Sequence, residues 1–275
     1  GLDEMKNTLC TLTLAAALVA YGIGKQEAMA MGQDSAKTNE SRPVLIDDTP
    51  TQALTIGGAV ELLQTDAELG SPDSEAWRHA REYQMDLGLA PPVHPSINLR
   101  HDPARAPMRI YLRAASDGNT LYLRLRWPDA SRDAAAGRSD FADAAAVQFA
   151  LEAGEATSFM MGAPNGPVNI WYWQAGNDRA QNLAAGGFGS TTRLAPGALG
   201  VSSLYRDKGE WVVVFSRPLT QNGEHEVHLE NLQANMSFAL WQGEDGQRDG
   251  LKHVSMGWVS LQPAGAQVAN AEPGS

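Results

Sequence analysis

Two stretches in the middle of the chain alternate between apolar and polar residues. Met108–Ala115 (MRIYLRAA) and Leu121–Trp127 (LYLRLRW) show the period of two that is typical of strands with one buried face. In the second stretch the leucines and Trp127 point one way, whereas its tyrosine and arginines point the other. Ser116–Asn119 (SDGN) lies between the two stretches and has the composition of a tight turn. The pattern therefore predicts a β-hairpin.

Further short apolar segments predict more strands along the rest of the chain. They are Ala145–Leu151, Val168–Trp173, Val201–Arg206, Trp211–Ser216, Ser237–Trp241 and Val254–Leu261. Asp207–Gly209 (DKG) predicts a tight hairpin turn between two of them, and Thr51–Leu63 fits either a strand or a short helix. Long amphipathic helices and heptads are absent from the pattern.

The segments between the strands complete the predicted fold class. Ser131–Asp143 and Asn177–Leu199 read as long loops, and Ala90–Ile97 contains too much proline for a helix. Many short strands joined by Gly, Asp and Asn turns are typical of sandwiches and barrels. We therefore expect an all-β protein, a β-sandwich, with long loops and a few short helices.

The start of the chain has the pattern of an export signal. Lys6 precedes an uncharged apolar run over Leu9–Ile23, and Ala28–Ala30 (AMA) matches a signal-peptidase site. The run is shorter than the roughly 20 residues of a membrane span, although an uncleaved anchor is the alternative. We expect a signal peptide over residues 1–30, a flexible leader over 31–50, one folded domain over 51–265 and a disordered tail over 266–275, with no membrane span in the mature chain.

Charge and cysteine content exclude several classes of function. The formal net charge of −11 disfavours nucleic acid as a partner. The single cysteine, Cys10, lies inside the predicted signal, so the mature protein would carry none. This excludes disulfides, cysteine-held iron–sulfur clusters and covalent c-type haem, which needs a C-x-x-C-H sequence.

Two groups of polar residues were weighed as metal ligands. His225 and His228 are three positions apart, but in a polar connector they are better interpreted as solvated histidines. Asp129, Asp140 and Asp143 fit no EF-hand spacing, so we interpret them as a solvated acidic loop.

The segment Phe159–Gln174 (FMMGAPNGPVNIWYWQ) is the most distinctive in the chain. Its two methionines precede a glycine and a turn, and a strand rich in tryptophan and tyrosine follows. A thioether beside aromatic walls suits a flat cofactor such as haem, since Met is a known axial iron ligand. The alternatives are gap-filling core methionines and, for the seven tryptophans, a sugar-binding platform or a large core.

Five blocks of sequence together resemble one family. They are Leu123–Trp127, Ser139–Phe149, Phe159–Ala175, Gly209–Leu219 and Phe238–Ser255. In this order they resemble the haem b (gamma) subunit of the type II dimethyl sulfoxide reductase family, whose relatives serve ethylbenzene dehydrogenase, dimethyl sulfide dehydrogenase, selenate reductase and chlorate reductase. The resemblance covers roughly residues 63–261.

The resemblance implies a cofactor and its ligands. It implies one non-covalent haem b per chain, with the iron held axially by the methionine before glycine, Met161, and by Lys252 in the segment after the last F-A-x-W strand. Met160 and His253 are the reserve ligands, and Trp171 and Trp173 are placed near the pocket or a subunit interface. An amine binds iron only when deprotonated, so Lys252 needs a buried site that lowers its pKa from the usual value of about 10.4.

The resemblance also implies a function without a substrate site. The chain would pass electrons within a periplasmic molybdenum oxidoreductase, between an iron–sulfur subunit and a soluble c-type cytochrome or similar carrier. A molybdopterin catalytic subunit would complete a heterotrimer. The alternatives are an exported carbohydrate-binding β-sandwich module and a cytochrome b domain with Met/His ligation.

Overall fold

Strands dominate the computed structural model, which describes residues 50–135, 137, 140–151 and 157–265. The first seven strands are β1 Thr51–Ala53, β2 Ala59–Gln64, β3 Glu82–Leu89, β4 Met108–Ser116, β5 Thr120–Pro128, β6 Ala144–Ala150 and β7 Val168–Gln174. The others are β8 Gln181–Ala185, β9 Thr192–Arg193, β10 Gly200–Arg206, β11 Glu210–Pro218, β12 Ala234–Trp241, β13 His253–Val254 and β14 Val259–Pro263. The predicted signal peptide, leader and tail lie outside the described residues.

Helices are few and short in the described residues. One α-helix, α1, spans Pro95–Asn98, and a 3₁₀ helix spans Glu75–His79. No helix of the described part is both long and apolar enough to cross a membrane. The predicted all-β class is confirmed.

The strands form two layers that are joined along one side. The first layer runs β10-β11-β5-β4 and continues into β3 and β1, and the second runs β14-β12-β6-β7-β8-β9. β2 pairs with both β4 and β14, and β13 pairs with both β3 and β12, so these strands connect the layers. Most pairs are antiparallel, as expected for short connections.

The predicted central hairpin is present as β4 and β5. Asp117 closes its turn, because one carboxylate oxygen accepts hydrogen bonds from the backbone of both Asn119 and Thr120. The second predicted hairpin, β10–β11, turns at Gly209, whose backbone NH donates to Arg206. Both turns follow directly from the local sequence.

The prediction of a single buried face for the central hairpin is wrong. The apolar face of β5 lies in the main core, but its polar face is covered as well, because Trp77 packs against Ala115 and Val214 on that side. Arg124 is buried there and its guanidinium donates to the carbonyl of Pro72 at 2.9 Å. A buried arginine is tolerated where its donors find acceptors.

Several elements were missed or drawn with the wrong bounds. No strand is predicted at the position of β3, and the predicted loop Asn177–Leu199 contains β8 and β9. The predicted strand Val254–Leu261 is two strands, β13 and β14, which pair with different regions of β12. β8, β9, β13 and β14 have two to five residues each, which are too few for a clear alternation.

The interpretation of the acidic residues as a solvated loop is wrong for two of them. Asp143 and Asp129 are only 0% and 2% exposed, whereas Asp140 is exposed. Asp143 accepts hydrogen bonds from the indole of Trp211 and the backbone of Gly243. These carboxylates therefore anchor the loop before β6 to the loop after β12.

The main core lies between the two layers and is rich in tryptophan. Trp127 and Trp211 of the first layer contact Trp173 of the second, with ring centroids 6.2 and 5.0 Å apart. Trp171 contacts Phe215 across the same interface. These buried rings account for much of the tryptophan content.

A second apolar cluster lies on the opposite face of the second layer. It includes Ala146, Ile170, Ala239 and Trp241, with Tyr172 packed against it. β6 is buried along its whole length, which means that both of its faces are covered. The candidate site lies on this outer face of the second layer.

Candidate functional site

A cavity of about 1050 Å³ lies on the outer face of β6, β7 and β12. It is at the upper end of the roughly 300–1,000 Å³ that small-molecule sites usually have. The loops around α1, before β6, before β7, after β8 and before β13 surround it. The cavity is therefore large enough for an organic cofactor.

The floor of the cavity is flat because its central side chains are small. Ala146 of β6 pairs with Tyr172 on one side and with Ala239 on the other, and all three line the cavity. Alternation along β6 turns Ala145 and Val147 towards the main core instead. A flat floor of alanine beside aromatic rings suits a planar ligand.

The two methionines lie in a turn before β7 rather than on a strand. Both Met160 and Met161 line the cavity, so strand alternation does not separate them. Gln148 donates to the carbonyl of Phe159 at 2.8 Å, and Gly187 donates to the carbonyl of Met161 at 2.8 Å. These bonds fix the turn on both sides of Met160.

Met161 adopts an uncommon backbone conformation. Its φ of 65° lies in the left-handed region, which costs free energy for any residue except glycine. Gly162 follows with φ 76°, and a Cβ there would lie 2.8 Å from the carbonyl oxygen of Ala185. Only glycine fits this position, which explains the Met-Gly pair in physical terms.

Lys252 also lines the cavity, but it comes from a segment far from Met161 in sequence. It directly precedes β13, and its carbonyl accepts a hydrogen bond from Ala90. The Lys252 Nζ atom lies 3.6 Å from the Met161 Sδ atom, although 91 residues separate the two in sequence. Nζ also lies 5.0 Å from the ring centroid of Trp241. The structure thus brings together the two predicted iron ligands.

The environment of Lys252 makes the neutral amine easier to form than it is in water. The side chain is buried, and burial lowers its pKa to about 8, although Asp249 opposes this shift. A buried amine without a close carboxylate loses much of its preference for the charged form. The free lone pair that iron ligation requires is therefore more accessible than in an exposed lysine.

His253, the reserve ligand, points away from the cavity. It is buried on the other side of β13, where Nδ1 contacts Gln247 and Nε2 lies 3.2 Å from the carbonyl of Ala106. Alternation explains the difference, because Lys252 and Val254 line the cavity and His253 does not. These contacts fix the backbone next to Lys252.

Trp171 and Trp173, expected near the pocket or a subunit interface, do not line the cavity. Both lie in the main core on the inner face of β7. The residues of β7 that line the cavity are Ile170, Tyr172 and Gln174. Sequence alone did not show which face of this strand meets the core, because both faces carry large apolar or aromatic residues.

The donor set and the cavity fit a haem. One soft thioether and one amine lie side by side at the wall of a cavity with a mixed apolar and polar lining, and both side chains are long and flexible enough to separate around a bound group. In the described residues no group of three or more His, Cys, Asp or Glu side chains is arranged to hold a bare metal ion.

Comparisons with known proteins point in the same direction. A family model described as ethylbenzene dehydrogenase matches residues 74–195. The gamma subunit of dimethylsulfide dehydrogenase from Rhodovulum sulfidophilum is 42% identical over 194 residues, which cover 68% of this chain and 73% of that protein. The gamma subunit of chlorate reductase from Ideonella dechloratans is 35% identical over 197 residues, which cover 71% of this chain and 80% of that protein.

This chain belongs to the gamma-subunit family of the type II dimethyl sulfoxide reductases. A third relative, from Haloferax mediterranei, is named as a candidate heme subunit of a respiratory nitrate reductase. It is 32% identical over 198 residues, which cover 71% of this chain and 69% of that protein. The family resemblance expected from the sequence motifs is confirmed.

Solved structures resemble this gamma subunit only distantly. A candidate carbohydrate-binding protein of Bacteroides uniformis aligns with a TM-score of 0.47 and 14% identity, over 79% of this chain and 92% of that one. This likeness is too weak to bear on function.

Sequence reasoning missed several residues of this gamma subunit's cavity. Gln148 fixes the methionine turn, Ala146 forms the floor, and Trp241 packs beside Lys252. A polar residue inside a buried strand was a usable signal for Gln148. The alanines gave no signal, because a small residue is equally common in a close-packed core.

Proposed function

We propose that this chain is the electron-transfer haem b subunit of a periplasmic molybdenum oxidoreductase. It binds one non-covalent haem, with Met161 Sδ and Lys252 Nζ as the two axial ligands of the iron. The observation that carries this proposal is the approach of these two atoms to 3.6 Å at the wall of a large cavity.

The residues of the chain hold and tune the cofactor. The haem, when bound, supplies one-electron chemistry at its iron. A thioether ligand raises the reduction potential, and the alanine floor with the Tyr172 and Trp241 rings excludes water from one side. Met161 and Lys252 would both hold the iron, so we propose no substrate site at the metal.

The partners follow from the family. The related chains are named as gamma subunits of dimethylsulfide dehydrogenase and chlorate reductase, which supports assembly with other subunits. We propose a molybdopterin catalytic subunit and an iron–sulfur subunit as partners, with a soluble c-type cytochrome as the external carrier. Export by the N-terminal signal would place the complex in the periplasm.

Spectroscopy of the purified full chain tests the ligand assignment. We expect a Soret band and a low-spin magnetic resonance spectrum that Lys252→Ala alters. His253→Asn is the matched control, because it keeps a hydrogen-bonding side chain and faces away from the cavity. A colourless protein, or a spectrum that changes only in the His253 variant, would refute the proposal.

The alternative functions receive no support from the site. A sugar-binding platform needs exposed aromatic rings, but none of the seven tryptophans, all of which lie in the described residues, is exposed. Met/His ligation through the reserve ligand His253 would need that residue to line the cavity, and it does not. His94 lines the cavity but is exposed, whereas Lys252 is buried beside Met161. We therefore propose neither of them.

A further inference from the structure

Two arginines lie at one end of the cavity, around a single aromatic ring. The guanidinium carbons of Arg100 and Arg248 lie 5.7 and 4.9 Å from the ring centroid of Phe141. All three residues line the cavity, and Phe141 lies three residues before the start of β6. We call Arg100, Phe141 and Arg248 the arginine pair and its ring.

The ring positions the arginines without neutralising them. Stacking on an aromatic face orients a planar guanidinium while leaving its N–H donors free at the edge. Arg100 uses one nitrogen to donate to the carbonyl of Gly246 at 3.1 Å. Each guanidinium carries five donors, so most of them remain for a ligand.

The acidic neighbours of the pair are weak competitors. Arg248 lies 3.7 Å from Asp249, and the two side chains are 56% and 88% exposed, so water screens the interaction. Asp140 also lines this end of the cavity and is exposed. The arginine pair therefore remains able to bind an added carboxylate.

Among the described residues that line the cavity, no arginine other than this pair is present. Gln148 lies four residues further along β6, about 13 Å from its start at 3.3 Å per residue. Its amide is already used by the carbonyl of Phe159 and the hydroxyl of Ser237. A ligand with one charged edge would therefore enter with that edge towards the arginines.

We propose that Arg100 and Arg248 bind the propionate carboxylates of the haem and thereby set its orientation in the cavity. This inference rests on the proposed function and adds the anionic subsite of the same cavity. Guanidinium–carboxylate pairs form two parallel hydrogen bonds, which fix direction as well as position. The alanines Ala146 and Ala239 would then be left to contact the apolar part of the macrocycle.

A comparison of two porphyrins tests this subsite. The haem-free full chain is titrated with iron protoporphyrin IX and with its dimethyl ester, in which both carboxylates are neutral. We expect the unchanged protein to bind the acid about tenfold more tightly than the ester. The variant Arg100→Gln/Arg248→Gln should bind both porphyrins with the same, weaker affinity, while its low-spin spectrum stays unchanged.

Two control variants separate charge from general damage. Arg78→Gln removes an exposed arginine that pairs with Glu75 away from the cavity, and it should keep the full preference for the acid. Arg100→Lys/Arg248→Lys should recover part of the preference. A double glutamine variant that still prefers the acid tenfold would overturn the inference. If neither porphyrin gives a bound spectrum with the unchanged protein, the proposed function fails, and the inference fails with it.

Discussion

At the scale of single residues, the site depends on two side chains that ordinary patterns do not distinguish. Met161 looks like a core methionine, and Lys252 looks like a surface lysine. Their roles follow from context: a left-handed backbone aims Met161 at the cavity, and burial beside Trp241 lowers the pKa of Lys252 to about 8. Neither property is visible from residue type alone.

The choice between the two adjacent methionines can be decided by one pair of variants. Met161→Leu removes the thioether but keeps the volume, so the low-spin spectrum should be lost. Met160→Leu is the matched control, because Met160 lines the same cavity and its variant should keep the spectrum. The reverse result, in absorption spectra of the two holoproteins, would transfer the ligand role to Met160.

Asp129 makes a separate prediction about stability. Burial raises its pKa to about 7, and the charge of the neighbouring Asp143 adds to the shift. The folded state then keeps a proton that the unfolded chain releases at lower pH. The free energy of unfolding therefore falls as pH rises from about 4 to about 7, by at most about 1.4 kcal/mol per pH unit for one group.

The variant Asp129→Asn should reduce this pH dependence, because an amide carries no charge at any pH, while burial still raises the pKa of Asp143. Thermal unfolding of both proteins from about pH 5 to about pH 8 is the measurement. We expect the melting temperature of the unchanged protein to fall over this range and that of the variant to stay flatter. Equal slopes would show that Asp129 does not titrate in this interval.

At the scale of elements, the turn before β7 is the part that the site most depends on. Bonds from Gln148 and Gly187 hold it, and Gly162 lets it pass close to the carbonyl oxygens of Ala185 and Gly166. Loops carry binding residues most effectively when a rigid scaffold fixes them in this way. β6 and β8 provide that scaffold.

Gly162→Ala should damage both the turn and the site. The added Cβ would lie 2.8 Å from Ala185 O and 2.9 Å from Gly166 O, so the turn must shift. The control is Gly118→Ala, since Gly118 also has a positive φ but no atom within 4 Å of a new Cβ. We expect a cost of about 1 kcal/mol in the control.

For Gly162→Ala we expect a larger loss of stability, together with weaker haem binding. Chemical denaturation and haem titration of both variants measure these two effects. Equal losses in the two variants would mean that only the backbone angle matters, and that the close approach does not.

At the scale of the whole molecule, the second layer is covered on both faces, and each face has its own task. The inner face carries Val147, Trp171 and Trp173 into the main core, and the outer face carries Ala146 and Tyr172 to the cavity. One sheet thus couples the stability of the sandwich to the geometry of the site. Substitutions at neighbouring positions should therefore have different consequences.

Ala145 and Ala146 test this division directly. Ala146→Leu should fill the cavity floor and abolish haem binding, with little change in the melting temperature of the haem-free protein. Ala145→Leu should overpack the core and cost about 1–3 kcal/mol of stability. Calorimetry and haem titration of both variants decide the matter, and a reversed pattern would contradict the assignment of the two faces.

Much of the fold could be predicted from local pattern. Alternation located the β4–β5 hairpin, and the turn residues Asp117 and Gly209 located two connections. β8 and β9 were missed because very short strands show too little alternation, whereas β3 (EYQMDLGL) alternates clearly and could have been predicted. The family motifs drew attention to Met161 and Lys252 before any contact between them was known.

The sequence by itself determined the class of fold, the family and the identity of the two residues that now face each other at 3.6 Å. Only the tertiary structure decided which face of β7 and β13 meets the cavity, and so excluded Trp171, Trp173 and His253 from its lining. The physical reason is that alternation sorts the residues of a strand into two sets but does not say what packs against each set. That depends on strands and loops distant in sequence, which meet only when the layers assemble.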